Sequence, residues 1–172
     1  WRNTFTLVAD DQIVPSGFDG AGNHLDQTES LDSLYIPKNF ITNKLYLARY
    51  PAVQTSFGRR KPDVNKALIQ SLNNGTLMVN YMGHGSPSLW ADEQVFVQST
   101  TIPALSSSRY FFLSTFTCDF GFYDRVNLRS ATEELMFTAG GGAVAAFTSS
   151  RLSYSGENEV LMYEFYGAVF NT

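Results

Sequence analysis

The sequence has one cysteine, few basic residues and no long apolar run. Because Cys118 is the only cysteine, no disulfide forms within the chain. A bilayer-spanning helix needs about 18 or more apolar residues in succession, and no segment approaches that length, so no membrane span is expected. Twelve basic and sixteen acidic residues give a net charge of −4. Nucleic acid is therefore not an expected partner, since phosphate binding usually requires a basic surface.

What the chain does contain is typical of one globular domain. Of 172 residues, 44% are hydrophobic and 15% are aromatic. A chain of this length buries roughly 70% of its unfolded surface, so its core needs no metal or disulfide. We expect a single domain over residues 1–172, with no cofactor and no metal. The chain opens on Trp1 rather than Met and soon enters an apolar run, which predicts a domain excised from a longer polypeptide.

Apolar patterns alternate between strand and helix along the chain. Short runs rich in β-branched and aromatic residues predict strands at residues 4–9, 45–50, 76–82, 110–117 and 143–148. Helical spacing predicts helices at residues 63–74 and near 161–168, and a capping box at Ser130 and Glu133 predicts another that ends by residues 140–142. Residues 12–23, 57–62 and 86–108 are predicted loops. This alternation predicts an α/β layer sandwich with a mainly parallel sheet.

Reactive side chains follow the predicted strands at their carboxyl ends, where open parallel sheets bind ligands. Asp10 and Asp11 follow the first strand, His84 the third and Cys118 the fourth. A thiol needs a base to become a thiolate, and an imidazole needs an orienting acceptor, so these are the parts of a nucleophilic site. Glycines flank His84, and the amides of Gly85 and Cys118 are candidates for an oxyanion hole.

Each of these residues also has an ordinary structural interpretation. A lone cysteine after a buried strand is usually inert, a turn histidine bonds the backbone, and an acidic pair caps the next segment. The coincidence of the only cysteine and one of two histidines on neighbouring strands favours a catalytic site. A response-regulator receiver also has an acidic pair after its first strand. It needs an aspartate after the third strand, where this chain has Gly83 and His84.

Three segments together resemble one known family. Residues 79–86 (VNYMGHGS) resemble the histidine segment of the gingipain family of cysteine peptidases, and residues 114–120 (STFTCDF) resemble its cysteine segment. The return at residues 140–145 (GGGAVA) is most similar to the branch that serves as the PorU-type sortase of type IX secretion. The resemblance covers nearly the whole chain. It implies a caspase-like three-layer sandwich.

The resemblance also implies roles for individual residues. Cys118 is then the nucleophile, and His84 is its general base and acid. Asp10 stands where gingipains carry a carboxylate that contacts the histidine, and Asp11 or Glu93 are alternatives. The implied substrate is a polypeptide, with other secretion proteins as possible partners, and the implied location is extracellular or at the outer-membrane surface. The reaction would cleave the C-terminal signal of secreted proteins, by hydrolysis or by transpeptidation.

Other positions leave alternatives open. His24, with Glu29 following, resembles a family histidine near the cleft, but helix capping and surface exposure fit equally well. Arginine-specific gingipains have an acid where this chain has Ala21, so arginine specificity is not expected. The rival function is a non-catalytic binding domain of the same fold, with an idle thiol, that acts as a scaffold in a secretion complex.

Overall fold

A five-stranded parallel sheet forms the centre of the computed structural model, which describes residues 1–20 and 22–171. Its strands are β1 (Thr4–Ala9), β2 (Ile41–Tyr46), β3 (Met78–Met82), β4 (Phe111–Phe116) and β5 (Ala143–Thr148). Their order in the sheet is β5, β4, β3, β1, β2, and each neighbouring pair is parallel. The strands before His84 and Cys118 are therefore direct neighbours, as the sequence predicts.

Helices cover both faces of the sheet. They are α1 (His24–Leu34), α2 (Pro62–Asn74), the short α3 (Gln98–Thr101), α4 (Ala131–Phe137) and α5 (Ser155–Phe170). One face packs against α2 and α4, with Leu68 and Leu135 fully buried there. The other packs against α1 and α5, with Leu31 and Tyr166 fully buried. These two cores explain why several strands are apolar on both faces, and the result is a caspase-like three-layer sandwich.

Small elements occupy the predicted loops and the neighbouring residues 47–55. They are two hairpins (Ile13–Val14 with Gly17–Phe18, and Val53–Thr55 with Gly58–Arg60), a small sheet (Gly85–Ser86, Leu89–Trp90 and Phe96–Val97) and two 3₁₀ turns (Leu47–Arg49 and Ile102–Ala104). The capping box at Ser130 and Glu133 is present at the start of α4. Within the described part of the chain, no helix has both the length and the apolar character that a bilayer crossing requires.

The second predicted strand is displaced, and two helices are missed: α1, and the four-residue α3 within the predicted loop 86–108. The strand ends at Tyr46, and the apolar run continues as a 3₁₀ turn because buried Lys61 binds the carbonyls of Leu47 and Tyr50. These carbonyls are satisfied without a strand partner. The sequence does not predict helix α1 because three of its buried residues, His24, Gln27 and Thr28, are polar. A mostly polar buried face gives no apolar periodicity.

Candidate active site

A cavity of about 220 Å³ lies at the carboxyl ends of β3 and β4, beside the first residues of α1 and α5. His84 and Cys118 both line it. The other lining residues are Asp19, His24, Met82, Gly83, Phe116, Leu152, Ser153, Tyr154, Ser155 and Asn158. The sheet order therefore brings the thiol and one imidazole of the sequence prediction into one cavity.

The main chain of His84 is held from two sides. Its N–H donates to Oδ2 of Asp10 (3.0 Å), and its carbonyl accepts from the Tyr81 hydroxyl (2.6 Å). A side chain at Gly83 would begin 2.3 Å from Cβ of Asp10 and 2.6 Å from the Tyr81 hydroxyl. Only glycine therefore permits this close approach. Asp10 thus reaches the backbone of His84 and fixes where its side chain starts.

The imidazole of His84 has a different carboxylate partner. Its Nε2 lies 2.7 Å from Oδ2 of Asp19, which follows the hairpin strand Gly17–Phe18. An ionised carboxylate only accepts hydrogen bonds, so Nε2 carries the proton in the neutral ring and Nδ1 keeps a lone pair. The His84 side chain is 41% exposed and that of Asp19 is 15% exposed. Asp19 is not among the acids that the sequence singles out.

Burial changes the protonation of Asp10. Its side chain lies under the His84 backbone, and burial raises the pKa of Asp10 to about 7, against the opposing effect of the hydrogen bond from the His84 amide. Glu93 adds to the rise through its charge. Asp10 is therefore partly protonated near neutral pH.

Asp11 and Glu93 lie beside Asp10, within 4.8 Å, and belong to an ion network. Asp11 pairs with Arg59 (2.7 Å) and with buried Lys61 (3.0 Å), while Glu93 pairs with Arg59 from the other side. Burial acts to raise the pKa of Asp11, but the hydrogen bonds from Arg59 and Lys61 outweigh it and the pKa is lowered. For Glu93, burial and then the Asp11 charge raise the pKa. Both carboxylates are oriented by cations.

His24 lies against the ring of His84. The two ring centroids are 5.5 Å apart and the planes are nearly perpendicular. His24 is buried as the first residue of α1, and burial lowers its pKa. The helix cap is Asn23, so capping is not the role of His24. Glu29 pairs instead with Lys44 and Arg49 on the helix surface.

The thiol of Cys118 is half-buried two residues after β4. Its Sγ donates to the carbonyl of Ser153 (3.2 Å). The Ser153 hydroxyl in turn donates to the carbonyl of Thr117 and accepts from the amide of Asn158. The next residue, Asp119, has a left-handed backbone (φ +54°), a conformation that non-glycine residues rarely adopt. The cysteine therefore sits at a sharp turn with its sulfur at the cavity wall.

Gly85 lies close to the residue before the cysteine. A Cβ added at Gly85 would be 2.5 Å from Oγ1 of Thr117. The main chain of Gly85 thus approaches the segment that carries Cys118, the other candidate amide for an oxyanion hole. Ala21, the position considered for arginine specificity, lies outside the described residues.

Solved structures share this fold at low sequence identity. The chain is similar to the Arg-specific cysteine proteinase gingipain R (RgpB), with 20% identity, a TM-score of 0.78 and coverage of 99% of this chain and 37% of that one. For the complex of Porphyromonas gingivalis RgpB pro- and mature domains, identity is 20%, the TM-score is 0.76 and coverage is 100% and 38%. A third solved structure, of a protease, has 19% sequence identity and a TM-score of 0.66. The match covers 90% of this chain and 30% of that one.

The chain thus spans less than two-fifths of the length of these structures. No curated protein matches it. A family model gives the assignment that structural similarity alone does not, because it matches residues 1–172. By this match the chain belongs to peptidase family C25.

Proposed function

We propose that the chain is the catalytic part of a cysteine peptidase that uses Cys118 as nucleophile and His84 as general base and acid. The observation that carries the proposal is their shared cavity at the carboxyl ends of two adjacent parallel strands. Membership of peptidase family C25 supports the same chemistry. The substrate is a polypeptide, and the solved complex of a similar protein with its own pro-domain is consistent with a polypeptide partner.

The first half of the reaction forms a thioester. His84 accepts the thiol proton, and the thiolate of Cys118 attacks the carbonyl carbon of the scissile bond. The amides of Gly85 and Cys118 stabilise the negative oxygen of the tetrahedral intermediate. When the intermediate collapses, the C–N bond breaks and His84 gives the proton to the leaving amine. The acyl group remains on Sγ.

The second half releases the acyl group. Water or an amine attacks the thioester carbon while His84 accepts one of its protons. The C–S bond then breaks, and the thiolate regains its proton from His84. Hydrolysis and transpeptidation therefore need the same residues and differ only in the nucleophile that reaches the thioester.

Two acids support His84 in different ways. Asp19 accepts from Nε2, which fixes the tautomer and leaves Nδ1 with the lone pair that accepts the thiol proton. Asp10 acts as a positioning residue, since its contact is with the His84 backbone. This division assigns the orienting role in a Cys-His-Asp arrangement to Asp19.

The finer proposal is a sortase-like transpeptidase that cleaves the C-terminal signal of secreted proteins. Its support is the resemblance of residues 140–145 and the surrounding motifs to the PorU-type branch. This finer proposal includes an extracellular or outer-membrane location and interaction with other secretion proteins. The decisive property is the choice between water and an amine in the second half-reaction.

A non-catalytic binding domain is the second candidate. It is favoured by one contact, because the thiol donates to the Ser153 carbonyl. In that case the cysteine would be an idle structural group.

Alkylation separates the two functions. Cys118 is the only thiol, so any label from iodoacetamide reports on it alone. We expect labelling well below pH 8 that slows in His84→Ala, because the imidazole no longer accepts the thiol proton. Ser86→Ala, in the same short strand as Gly85, is the matched control and should label like wild type. Equal slow labelling of wild type and His84→Ala would support the binding domain.

A further inference from the structure

One nitrogen of His24 lacks the partner that its burial demands. Nε2 is inaccessible to solvent and has no hydrogen-bond partner among the described residues. A buried polar atom without a partner costs free energy, so its presence needs an explanation. The other nitrogen, Nδ1, lies 3.2 Å from Oε1 of Gln27.

The surroundings of Gln27 determine which nitrogen of His24 carries the proton. The amide nitrogen of Gln27 donates to the carboxylate of Glu159 (3.0 Å), which fixes the orientation of the amide. Oε1 therefore faces His24, and since a carbonyl oxygen only accepts, Nδ1 of His24 is protonated. Nε2 then keeps its lone pair, and it is the nitrogen that is buried without a hydrogen-bond partner among the described residues. A neutral imidazole fixed by an acceptor on its other nitrogen is the form that binds metals.

Two further residues with metal-binding atoms, Asp10 and His84, lie beside His24. One ligand atom from each of Asp10, His24 and His84 lies within 4.8 Å of the others. Asp10 and His24 are each 3% exposed. We propose that Asp10, His24 and His84 form a site for a borderline divalent cation of the zinc class. Two imidazoles and one carboxylate favour zinc over calcium or magnesium, which prefer oxygen ligands.

The arrangement is close to the size that such a cation requires. Bonds of about 2.0–2.2 Å from zinc to nitrogen and oxygen put tetrahedral ligand atoms about 3.3 Å apart. The ligand atoms lie within 4.8 Å of one another, so they need to approach by at most about 1.5 Å. The half-exposed side chain of His84 can supply that movement.

The consequence for catalysis rests on the proposed function. A cation bound to a ring nitrogen of His84 takes the lone pair that accepts the thiol proton. The peptidase would then be inhibited reversibly, and removal of the cation by a chelator would restore it. The site would regulate the reaction and take no part in it.

Binding is measured without any substrate. Zn²⁺ is titrated by calorimetry, and Co²⁺ is followed by its visible absorption as a probe of coordination. We expect one equivalent to bind, and His24→Ala or Asp10→Asn to weaken binding at least about 100-fold because a ligand is lost. Gln27→Leu leaves all three ligands in place and should weaken it by about 10- to 100-fold, as loss of a group that orients a ligand does. Glu29→Gln on the same helix, which faces Lys44, is the matched control and should bind like wild type.

The outcomes separate this site from the proposed function. Equal affinity in wild type, His24→Ala and Asp10→Asn, or no binding by wild type, would overturn the metal site, provided circular dichroism shows folded proteins. Binding that depends on these residues in a protein without peptidase activity would support the site and contradict the proposed function. If the protein is an active peptidase and saturating Zn²⁺ leaves its rate unchanged, the inhibitory role is wrong.

Discussion

Nε2 of His84 lies 2.7 Å from Oδ2 of Asp19, and this contact links the ring to the hairpin of residues 13–18. The hairpin holds the acid in place, since the Asp19 amide donates to the carbonyl of Gln12 (2.8 Å) and the side chain of Gln12 donates back to the carbonyl of Asp19 (3.3 Å). The orientation of the base therefore depends on a surface segment, whereas its backbone depends on the sheet.

The first prediction concerns the tautomer of His84. In Asp19→Asn, the amide group can donate toward Nε2 and so favours the proton on Nδ1, where the proposed base needs its lone pair. We expect kcat to fall about 10²- to 10⁴-fold, the range that general acid–base catalysis contributes. Steady-state kinetics on a peptide substrate measures this. Asp63→Asn in the first turn of α2 is the control, and an unchanged kcat in Asp19→Asn would assign orientation elsewhere.

The second prediction concerns the nucleophile and base as one unit. Cys118→Ala and His84→Ala should each abolish peptide-bond cleavage, and the double variant should be no worse than either, because members of one catalytic unit are not additive. Both side chains lie partly exposed at the cavity, so circular dichroism should show folded proteins. Wild-type turnover by folded Cys118→Ala would rule out the thiol mechanism.

The sequence predicts four of the five strands well because each of these four is a local apolar run. The second strand, Ile41–Tyr46, is displaced from its prediction because polar residues (Thr42, Asn43 and Lys44) occupy its first half. It also predicts the edge that carries Cys118 and His84, since parallel strands share a direction and their carboxyl ends meet. The contact of Asp19 with His84 could not be predicted from the sequence. Asp19 and His84 are far apart in the chain, and the hairpin that joins them has strands of only two residues. Such short strands carry no periodicity that a sequence pattern could reveal.

The polar contacts around the site are likewise set by tertiary structure. Asp10, Asp11 and Glu93 are equivalent as acids in the sequence. The structure separates them because Arg59 and Lys61 come from a second hairpin and the start of α2 to bind two of the three. Asp10 alone is left under the His84 backbone. Which acid meets which cation depends on packing between distant segments.

The third prediction concerns stability and pH. The pKa of Asp10 is raised to about 7 in the folded protein by burial, from 3.8 for the unperturbed group. The folded state therefore holds a proton that the unfolded state loses, so the stabilising contribution of Asp10 is complete below about pH 4 and is lost as pH rises through about 7. Asp10→Asn, which stays neutral, should gain stability relative to wild type across this interval. Urea unfolding at several pH values measures the difference.

A second carboxylate provides the internal comparison for that experiment. Asp11 has a lowered pKa in the folded state, so its contribution has the opposite sign and is lost as pH falls. The Asp10→Asn difference cancels the effect of Asp11 because both proteins contain it. A difference that stays constant between pH 4 and 7 would contradict a raised pKa for Asp10.

The last prediction concerns the nucleophile of the second half-reaction. If the protein is a transpeptidase, an amine reaches the thioester on Cys118 faster than water does, and added amines should divert product from the free acid to the amide. A signal-junction peptide is incubated with the protein and increasing amine, and mass spectrometry identifies the products. The amide fraction should rise with amine concentration while consumption of peptide stays constant, as long as formation of the thioester limits the rate. Cys118→Ala is the control for uncatalysed aminolysis. Free acid alone at every amine concentration would make the protein a hydrolytic peptidase and remove the sortase proposal, while leaving the thiol mechanism intact.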